Sequence, residues 1–229
     1  MPRFAANLTM MFQEYSFMDR FAAAAAAGFD AVEYLFPYDF DMSQIARSLQ
    51  ENLLTQALFN LPPGDWQAGE RGLAALPERK ADFRQSVATA LHYAEATGVG
   101  RLHVMSGIAR RDDAAAHACY RGSVAYLCDQ AGQAGLDVLI EPINARDMPG
   151  YFLNDFNYAA DLIADLGAAN LKLQFDIYHR QIIHGDVLTG LKTLMPIIGH
   201  VQIAAVPQRN EPGTGELDDF RILSALDDL

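Results

Sequence analysis

Short apolar runs alternate with longer amphipathic stretches along the whole chain. The runs are four to eight residues long and end at turn or polar residues, which is typical of buried strands, whereas the stretches between them repeat with a helical period. The predicted strands cover 3–7, 29–35, 53–60, 101–105, 137–141, 171–176 and 200–203. Strands that alternate with helices in this way predict a parallel sheet with right-handed crossovers.

Several predicted helices have recognisable start and stop signals. Ser16 and Asp19 form a capping-box pattern before helix 17–27, which should stop at Gly28. Asn154 is predicted to cap helix 155–166. The other predicted helices cover about 42–50, 78–98, 112–134, 186–194 and 217–229. Segment 61–77 is rich in Pro and Gly and long for a connection, which favours a functional loop.

Polar residues close nearly every predicted strand: Asn7, Glu33, Asn60, Ser106, Glu141, Asp176 and Gln202. In a (β/α)8 barrel, the TIM barrel, the active site lies at the carboxyl ends of the strands. No G-x-G-x-x-G follows the first strand, which disfavours a dinucleotide-binding fold. We therefore predict an α/β TIM barrel that forms a single domain over residues 1–229. Only seven βα units are present, so the eighth is expected to be missing from this chain.

Three of these polar residues end successive strands and form an all-oxygen set. The apolar run before Glu141 delivers a carboxylate to a strand end, and such a group is costly to bury unless it is paired or bound to a metal. Asp176 and Gln202 end the next two strands. Oxygen ligands suit Mg²⁺ or Mn²⁺ better than Zn²⁺. His179 is expected on the loop after Asp176, and Arg209, in the loop after the last strand, could face an anionic substrate group.

Each candidate also has a purely structural explanation. Glu141 alone could be a helix cap or half of an ion pair, Gln202 a hydrogen-bonding core residue, and His179 a loop histidine. The structural explanation is favoured for the strand histidines His103 and His200, which are expected to be core residues with satisfied hydrogen bonds. Glu33 and Asn60 could simply bond neighbouring strands. The coincidence of Glu, Asp and Gln at three successive strand ends favours a site.

The composition of the chain limits the classes of partner that the protein is expected to bind. The 229 residues carry a net charge of −12 without a Lys/Arg cluster, which disfavours nucleic acid and favours a small molecule or a metal. The two cysteines, Cys119 and Cys128, have neither disulfide-framework nor zinc-knuckle spacing, which favours a reducing cytoplasm. No signal peptide and no apolar run of membrane-spanning length is evident. A homo-oligomer is left open.

Several segments along the chain carry a family resemblance: RFAANLTMMF, VEYLFPYDF, PPGDWQAGERGLAALP, IEPIN-x-RD-x-PG-x-FL, NLK-x-QFDIYH and IGHVQIA…R-x-EPGTGE. This resemblance is to the hydroxypyruvate isomerase family of xylose-isomerase-like TIM barrels. It covers essentially the whole chain. MPRFAANL and ALFN are closer to the sibling 2-oxo-tetronate isomerases.

The resemblance implies a set of residue roles. Glu141, Asp176 and Gln202 would hold a divalent metal, and Glu141 would also be one of two acid/base carboxylates. The second, a Glu on an eighth strand that would also bind the metal, is absent from these residues. We predict that the substrate contacts are His179, Arg209, Glu33 and Asn60.

The implied reaction interconverts hydroxypyruvate and 2-hydroxy-3-oxopropanoate, small 2-oxo and hydroxy acids, through a metal-stabilised enediolate. Mg²⁺ or Mn²⁺ is the expected cofactor, and no nucleotide is needed. Three alternatives remain: a 2-oxo-tetronate isomerase of the same family, a related ketose epimerase, and a non-catalytic sugar-acid-binding protein. A DNA-repair endonuclease on the same barrel is disfavoured by the acidic charge.

Overall fold

A computed structural model describes residues 2–229 and contains one parallel sheet of seven strands in sequence order. The strands are β1 (Ala5–Asn7), β2 (Ala31–Tyr34), β3 (Thr55–Asn60), β4 (Arg101–His103), β5 (Asp137–Ile140), β6 (Leu171–Asp176) and β7 (Ile198–Gln202). All seven predicted strands are therefore present. Consecutive strands are neighbours, as expected for the barrel rather than for a doubly wound sheet.

Helices connect the strands and cover the outside of the sheet. They are α1 (Arg20–Ala26), α2 (Met42–Glu51), α3 (Lys80–Thr97), α4 (Ala114–Gln133), α5 (Phe156–Leu166), α6 (Ile177–Ile183), α7 (Val187–Leu194) and α8 (Asp219–Asp227). Of these, α6 was not predicted, and His179 within it was expected on a loop. None of the described helices is both long and apolar enough to cross a membrane.

Two predicted helix caps were wrong. The Asp155 side chain, rather than that of Asn154, accepts the backbone N–H of Tyr158 and caps α5. Asn154 Oδ1 instead accepts a hydrogen bond from Arg111. The Ser16 hydroxyl bonds the Asp19 carboxylate and no backbone N–H, so the capping box does not form, and residues 17–19 make a short 3₁₀ turn.

Strand register brings the polar strand ends together at one edge of the sheet. Asn7 pairs with Glu33 between β1 and β2, and Asp176 pairs with Gln202 between β6 and β7. Glu33 also reaches across to His200 and Gln202. The first and last parts of the sheet therefore curve toward each other, which is the geometry of a barrel.

The loop 61–77 folds back onto the end of β4. Gly72 bridges Ser106, and the backbone N–H of Ala75 donates to the Ser106 oxygen at 2.7 Å. Gly72 has a φ of +109°, and a Cβ there would lie 2.3 Å from the Met105 oxygen, so only glycine fits. This close approach ties the loop to the edge of the sheet that carries the polar strand ends.

Both cysteines are buried free thiols, in agreement with the absence of a disulfide framework.

Candidate active site

Three buried side chains converge at the carboxyl ends of β5 and β6. Glu141 follows β5, Asp176 ends β6, and His179 lies one turn further on; one potential ligand atom of each lies within 4.8 Å of the others. His179 Nε2 is 3.6 Å from Asp176 Oδ2 and 3.9 Å from Glu141 Oε1. We call Glu141, Asp176 and His179 the carboxylate cluster.

The predicted loop position of His179 was wrong, because the residue belongs to the first turn of α6. The Asp176 carboxylate accepts the backbone N–H groups of Tyr178 at 2.7 Å and His179 at 3.3 Å. It is therefore the N-cap of α6, and the helix begins directly where the strand ends. This cap fixes His179 beside the carboxylate that caps its helix.

The electrostatics of the cluster favour a cation. Burial, followed by the charge of Asp176, raises the pKa of Glu141 well above its usual range, while Arg209 opposes the shift. Burial also lowers the pKa of His179, so its ring is neutral near pH 7. Two adjacent buried carboxylates repel each other when both are ionised, and a bound cation removes that penalty.

Unpartnered polar atoms lie around the cluster. Neither ring nitrogen of His103 has a hydrogen-bond partner, although Nε2 lies 3.5 Å from Glu141 Oε2, so the prediction of a satisfied core histidine was wrong. Burial lowers the pKa of His103 to about 3, which keeps its ring neutral. Gln174 Oε1 is also buried without a partner. Buried polar atoms without partners are uncommon in proteins and are a sign of a missing ion, ligand or water.

The residues around the cluster therefore fit a divalent metal. The donors that converge are mainly carboxylate oxygens, the type that Mg²⁺ and Mn²⁺ take. Glu141 and Asp176 are the groups able to hold such an ion.

Gln202 lies next to the cluster within a hydrogen-bonded chain. Its Oε1 accepts from Gln174 Nε2 at 2.9 Å, and its Nε2 donates to Glu33 Oε1 at 2.5 Å. The backbone places Gln202 directly opposite Asp176. Its carboxamide oxygen is thus engaged with Gln174 in this structure.

Glu33 joins both ends of the sheet. Its buried carboxylate accepts from Asn7 Nδ2 at 2.9 Å, His200 Nε2 at 2.7 Å and Gln202 Nε2 at 2.5 Å. His200 therefore has a hydrogen-bond partner, as predicted, but it is half-buried and does not lie in the core. Because a carboxylate has about four acceptor positions, little capacity remains on Glu33 for a substrate. We call Glu33, Asn7, His200 and Gln202 the Glu33 network.

Two further predicted contacts lie at different places. Arg209 Nη2 is 3.4 Å from Asp176 Oδ2, and its guanidinium lies 4.9 Å from the ring centroid of Tyr178. Its side chain is 36% exposed, so it forms the rim of the cluster and faces solvent. Asn60 is buried at the end of β3, where its backbone oxygen accepts from the Tyr38 hydroxyl. The structure thus brings Arg209 to the carboxylate cluster, whereas Asn60 lies on β3, where its backbone pairs with His103 of β4.

Asn144 is a site residue that sequence reasoning missed. It is fully buried, and its Nδ2 lies 2.7 Å from His179 Nδ1. The signal available was an Asn three residues after Glu141, a residue type that folds back on its own backbone in turns. The sequence could not show that this turn ends against His179.

A family model described as xylose isomerase-like TIM barrel matches residues 21–229. The chain is 54% identical to a 2-oxo-tetronate isomerase of Cupriavidus necator, covering 100% of this chain and 89% of that protein. It is 43% identical to the hydroxypyruvate isomerase of Escherichia coli, covering 95% and 85%.

A solved structure supports the same assignment. A protein from Brucella melitensis, described as an AP endonuclease of family 2, superposes with a TM-score of 0.96 at 47% identity and covers 100% of this chain and 89% of that one. The seven-stranded parallel sheet, the family model and the two named relatives point to the same family. The chain therefore belongs to the xylose isomerase-like TIM-barrel family, in the group of enzymes that includes the hydroxypyruvate and 2-oxo-tetronate isomerases.

Proposed function

We propose that this enzyme moves a carbonyl between adjacent carbons of a small 2-oxo acid. The two candidate substrates are hydroxypyruvate, which would give 2-hydroxy-3-oxopropanoate, and the longer 2-oxo-tetronate. The observation that carries the proposal is the buried Glu141, whose pKa is raised beside Asp176, with Arg209 at the rim. A carboxyl group with a raised pKa is suited to exchange a proton with carbon near neutral pH.

The proposed metal is Mg²⁺ or Mn²⁺, held by Glu141 and Asp176 with Gln202 as a further ligand. When bound, it supplies Lewis-acid polarisation of the substrate's carbonyl and hydroxyl oxygens. Gln202 Oε1 accepts one hydrogen bond, from Gln174, and its second lone pair would bind the metal. Glu33 supports it by holding the other end of the Gln202 carboxamide.

The remaining roles follow from position. Glu141 would be one of the two acid/base carboxylates that the resemblance implies: one removes the proton from one substrate carbon, and the other returns a proton to the neighbouring carbon. The hydroxyl proton passes to the oxygen of the former carbonyl, so the carbonyl moves by one carbon. His179 Nε2 faces the same space and would donate a hydrogen bond to a substrate oxygen. Arg209 would pair with the substrate carboxylate, since its planar guanidinium can bind a carboxylate through two hydrogen bonds. Asn60, at the end of β3, stays a predicted substrate contact.

The test measures turnover of hydroxypyruvate and 2-oxo-tetronate side by side, with Mg²⁺ or Mn²⁺ and after chelation. Glu141→Gln is expected to lower kcat by about 10²–10⁴-fold, the usual contribution of a positioned acid/base group. The matched control is Glu51→Gln on the exposed end of α2, which should leave kcat unchanged. The proposal is wrong if neither acid is turned over, or if Glu141→Gln has full activity.

Comparing the two acids decides the substrate. The 54% identity to a 2-oxo-tetronate isomerase favours the longer acid over hydroxypyruvate, whose named isomerase is 43% identical. Ketohexose turnover without 2-oxo acid turnover would identify an epimerase instead. Metal and acid binding without any turnover would identify a binding protein.

A cytoplasmic location is part of the same proposal, supported by two buried thiols that remain free. A homo-oligomer stays a prediction, which light scattering of the purified protein would test.

A further inference from the structure

The orientation of the Asn144 side chain is fixed by its own turn. Its Oδ1 accepts the backbone N–H groups of Arg146 at 3.0 Å and Asp147 at 2.9 Å. Backbone N–H groups only donate, so the atom that faces them must be the oxygen. The amide nitrogen therefore faces the other way, where it meets Asp147 Oδ2 at 3.2 Å and His179 Nδ1 at 2.7 Å.

This orientation determines which nitrogen of His179 carries the proton. Nδ1 faces the Asn144 side-chain nitrogen at 2.7 Å and the Asn144 backbone N–H at 3.4 Å, both of which donate. A neutral imidazole has one N–H and one acceptor nitrogen. Because Nδ1 must accept, the proton belongs on Nε2, which points toward the carboxylates of Asp176 and Glu141.

One contact favours the opposite tautomer. Arg209 Nη2 lies 3.3 Å from His179 Nε2, and a guanidinium only donates. This contact is longer than the 2.7 Å contact on the other side of the ring. The same Nη2 has an acceptor in Asp176 Oδ2 at 3.4 Å, and the Arg209 side chain is 36% exposed and free to turn. Asn144, by contrast, is fully buried and held by its turn, so its two N–H donors determine the tautomer of His179.

We propose that Asn144 keeps the ring proton of His179 on Nε2 and thereby excludes His179 from the ligand set of the metal. The inference rests on the metal site proposed above. A neutral histidine binds a metal through its unprotonated nitrogen, and the partner of the other nitrogen decides which one that is. Here Asn144 occupies the unprotonated nitrogen. Although His179 lies within the carboxylate cluster, it therefore acts as a hydrogen-bond donor.

The consequence is metal selectivity. With His179 excluded, the ligands that the cluster offers are oxygens, which favour Mg²⁺ and Mn²⁺. With an imidazole nitrogen added, the site would suit Zn²⁺ better. Asn144 is therefore a positioning residue for both the hydrogen bond to the substrate and the choice of metal.

The first test needs no substitution in the site. Ring-nitrogen NMR of ¹⁵N-labelled wild-type protein in EDTA distinguishes a protonated from an unprotonated nitrogen, and loss of the signal in His179→Gln assigns it. We expect the proton on Nε2. A proton on Nδ1 in the wild-type protein would overturn the proposal.

The second test reverses the tautomer. In the double variant Asn144→Asp/Asp147→Asn, the net charge is kept and a carboxylate oxygen can still accept the backbone N–H groups of Arg146 and Asp147. Its other oxygen faces His179 Nδ1 and requires a proton there, which frees Nε2. We expect Zn²⁺ affinity to rise relative to Mn²⁺ by about tenfold or more, the scale on which residues behind the ligands tune metal sites.

The matched control is Asp147→Asn alone, which retains Asn144 and should keep the wild-type ratio of Zn²⁺ to Mn²⁺ affinity. An unchanged ratio in the double variant, with the proton shown by NMR on Nδ1, would overturn the proposal.

A third comparison tests the proposal without the double variant, in case that variant does not fold. His179→Gln should leave Mn²⁺ affinity unchanged, whereas Asp176→Asn should lower it by about tenfold or more. Equal losses in the two variants would show that His179 is a ligand and would refute the proposal. None of these measurements uses a substrate, so they stand apart from failure of the proposed isomerase activity, which is measured by turnover.

Discussion

Removal of the Glu33 carboxylate should destabilise the fold as a whole, because this group joins β2 to both β1 and β7. Three donors lose their acceptor in Glu33→Ala: Asn7 Nδ2, His200 Nε2 and Gln202 Nε2. The last of these contacts links residues 169 positions apart in the chain. The substitution therefore removes a connection that no local interaction can replace.

The magnitude follows from the three bonds. Hydrogen bonds to a charged group contribute about 1.5–3 kcal/mol each, so their simple sum is an upper limit. His200 and Gln202 are half-buried and regain water when the carboxylate is lost, which reduces that sum. We expect the free energy of unfolding to fall by about 3–5 kcal/mol, the usual cost of removing one partner from a buried polar pair. For a chain of this size that corresponds to a melting temperature about 6–20 °C lower.

The assay is urea unfolding of the metal-free protein, followed by circular dichroism. Glu33→Gln keeps the shape of the side chain but has only one acceptor oxygen. Its free energy of unfolding should therefore fall by less than that of Glu33→Ala, by about 1–3 kcal/mol. Glu51→Ala, at the exposed end of α2, is the control and should change the free energy of unfolding by less than about 0.5 kcal/mol.

A double-mutant cycle between Glu33 and His200 should give a coupling free energy of about 0.5–3 kcal/mol. A loss below about 1 kcal/mol in Glu33→Ala, under the typical cost of an unmet buried hydrogen bond, would refute the reasoning.

Three further predictions concern other parts of the molecule. Burial holds the pKa of His103 at about 3 in the folded state against 6.5 in the unfolded chain, so acidification protonates the unfolded state first. The stability that neutral His103 contributes is complete above pH 6.5 and is lost as the pH falls. Between pH 6 and 4, the free energy of unfolding of the metal-free wild type should therefore fall more steeply than that of His103→Gln, by up to about 1.4 kcal/mol per pH unit. Asp176→Asn keeps the cap on α6 and should affect mainly Mn²⁺ affinity, which calorimetry measures. Asp176→Ala also removes the cap and should lower the free energy of unfolding by about 1 kcal/mol. Equal stability of the two variants would argue against the cap. Gly72→Ala should destabilise more than Gly28→Ala in thermal unfolding, because both have positive φ but only the new Cβ at Gly72 would meet backbone, 2.3 Å from the Met105 oxygen. Equal melting temperatures for the two glycine variants would contradict this close contact.

The sequence determined the architecture because the signals for it are local. Each apolar run and each helical period depends on residues close in the chain, and all seven predicted strands form. The placement of Glu141 and Asp176 side by side also followed, since parallel strands bring their carboxyl ends to one edge. The errors that remained were local competitions between similar groups, such as Asp155 capping α5 in place of Asn154.

Only the tertiary structure decided the partners of the buried polar atoms. Glu33 could have bonded any neighbouring strand, but curvature of the sheet brings His200 and Gln202 to it. His103 could have been satisfied, yet both of its ring nitrogens are buried without a hydrogen-bond partner. Asn144 and His179 lie 35 positions apart, and their contact exists because one turn and one helix cap end at the same point. Hydrogen-bond partners depend on which donors and acceptors compete in space, and residue pattern along the chain does not contain that information.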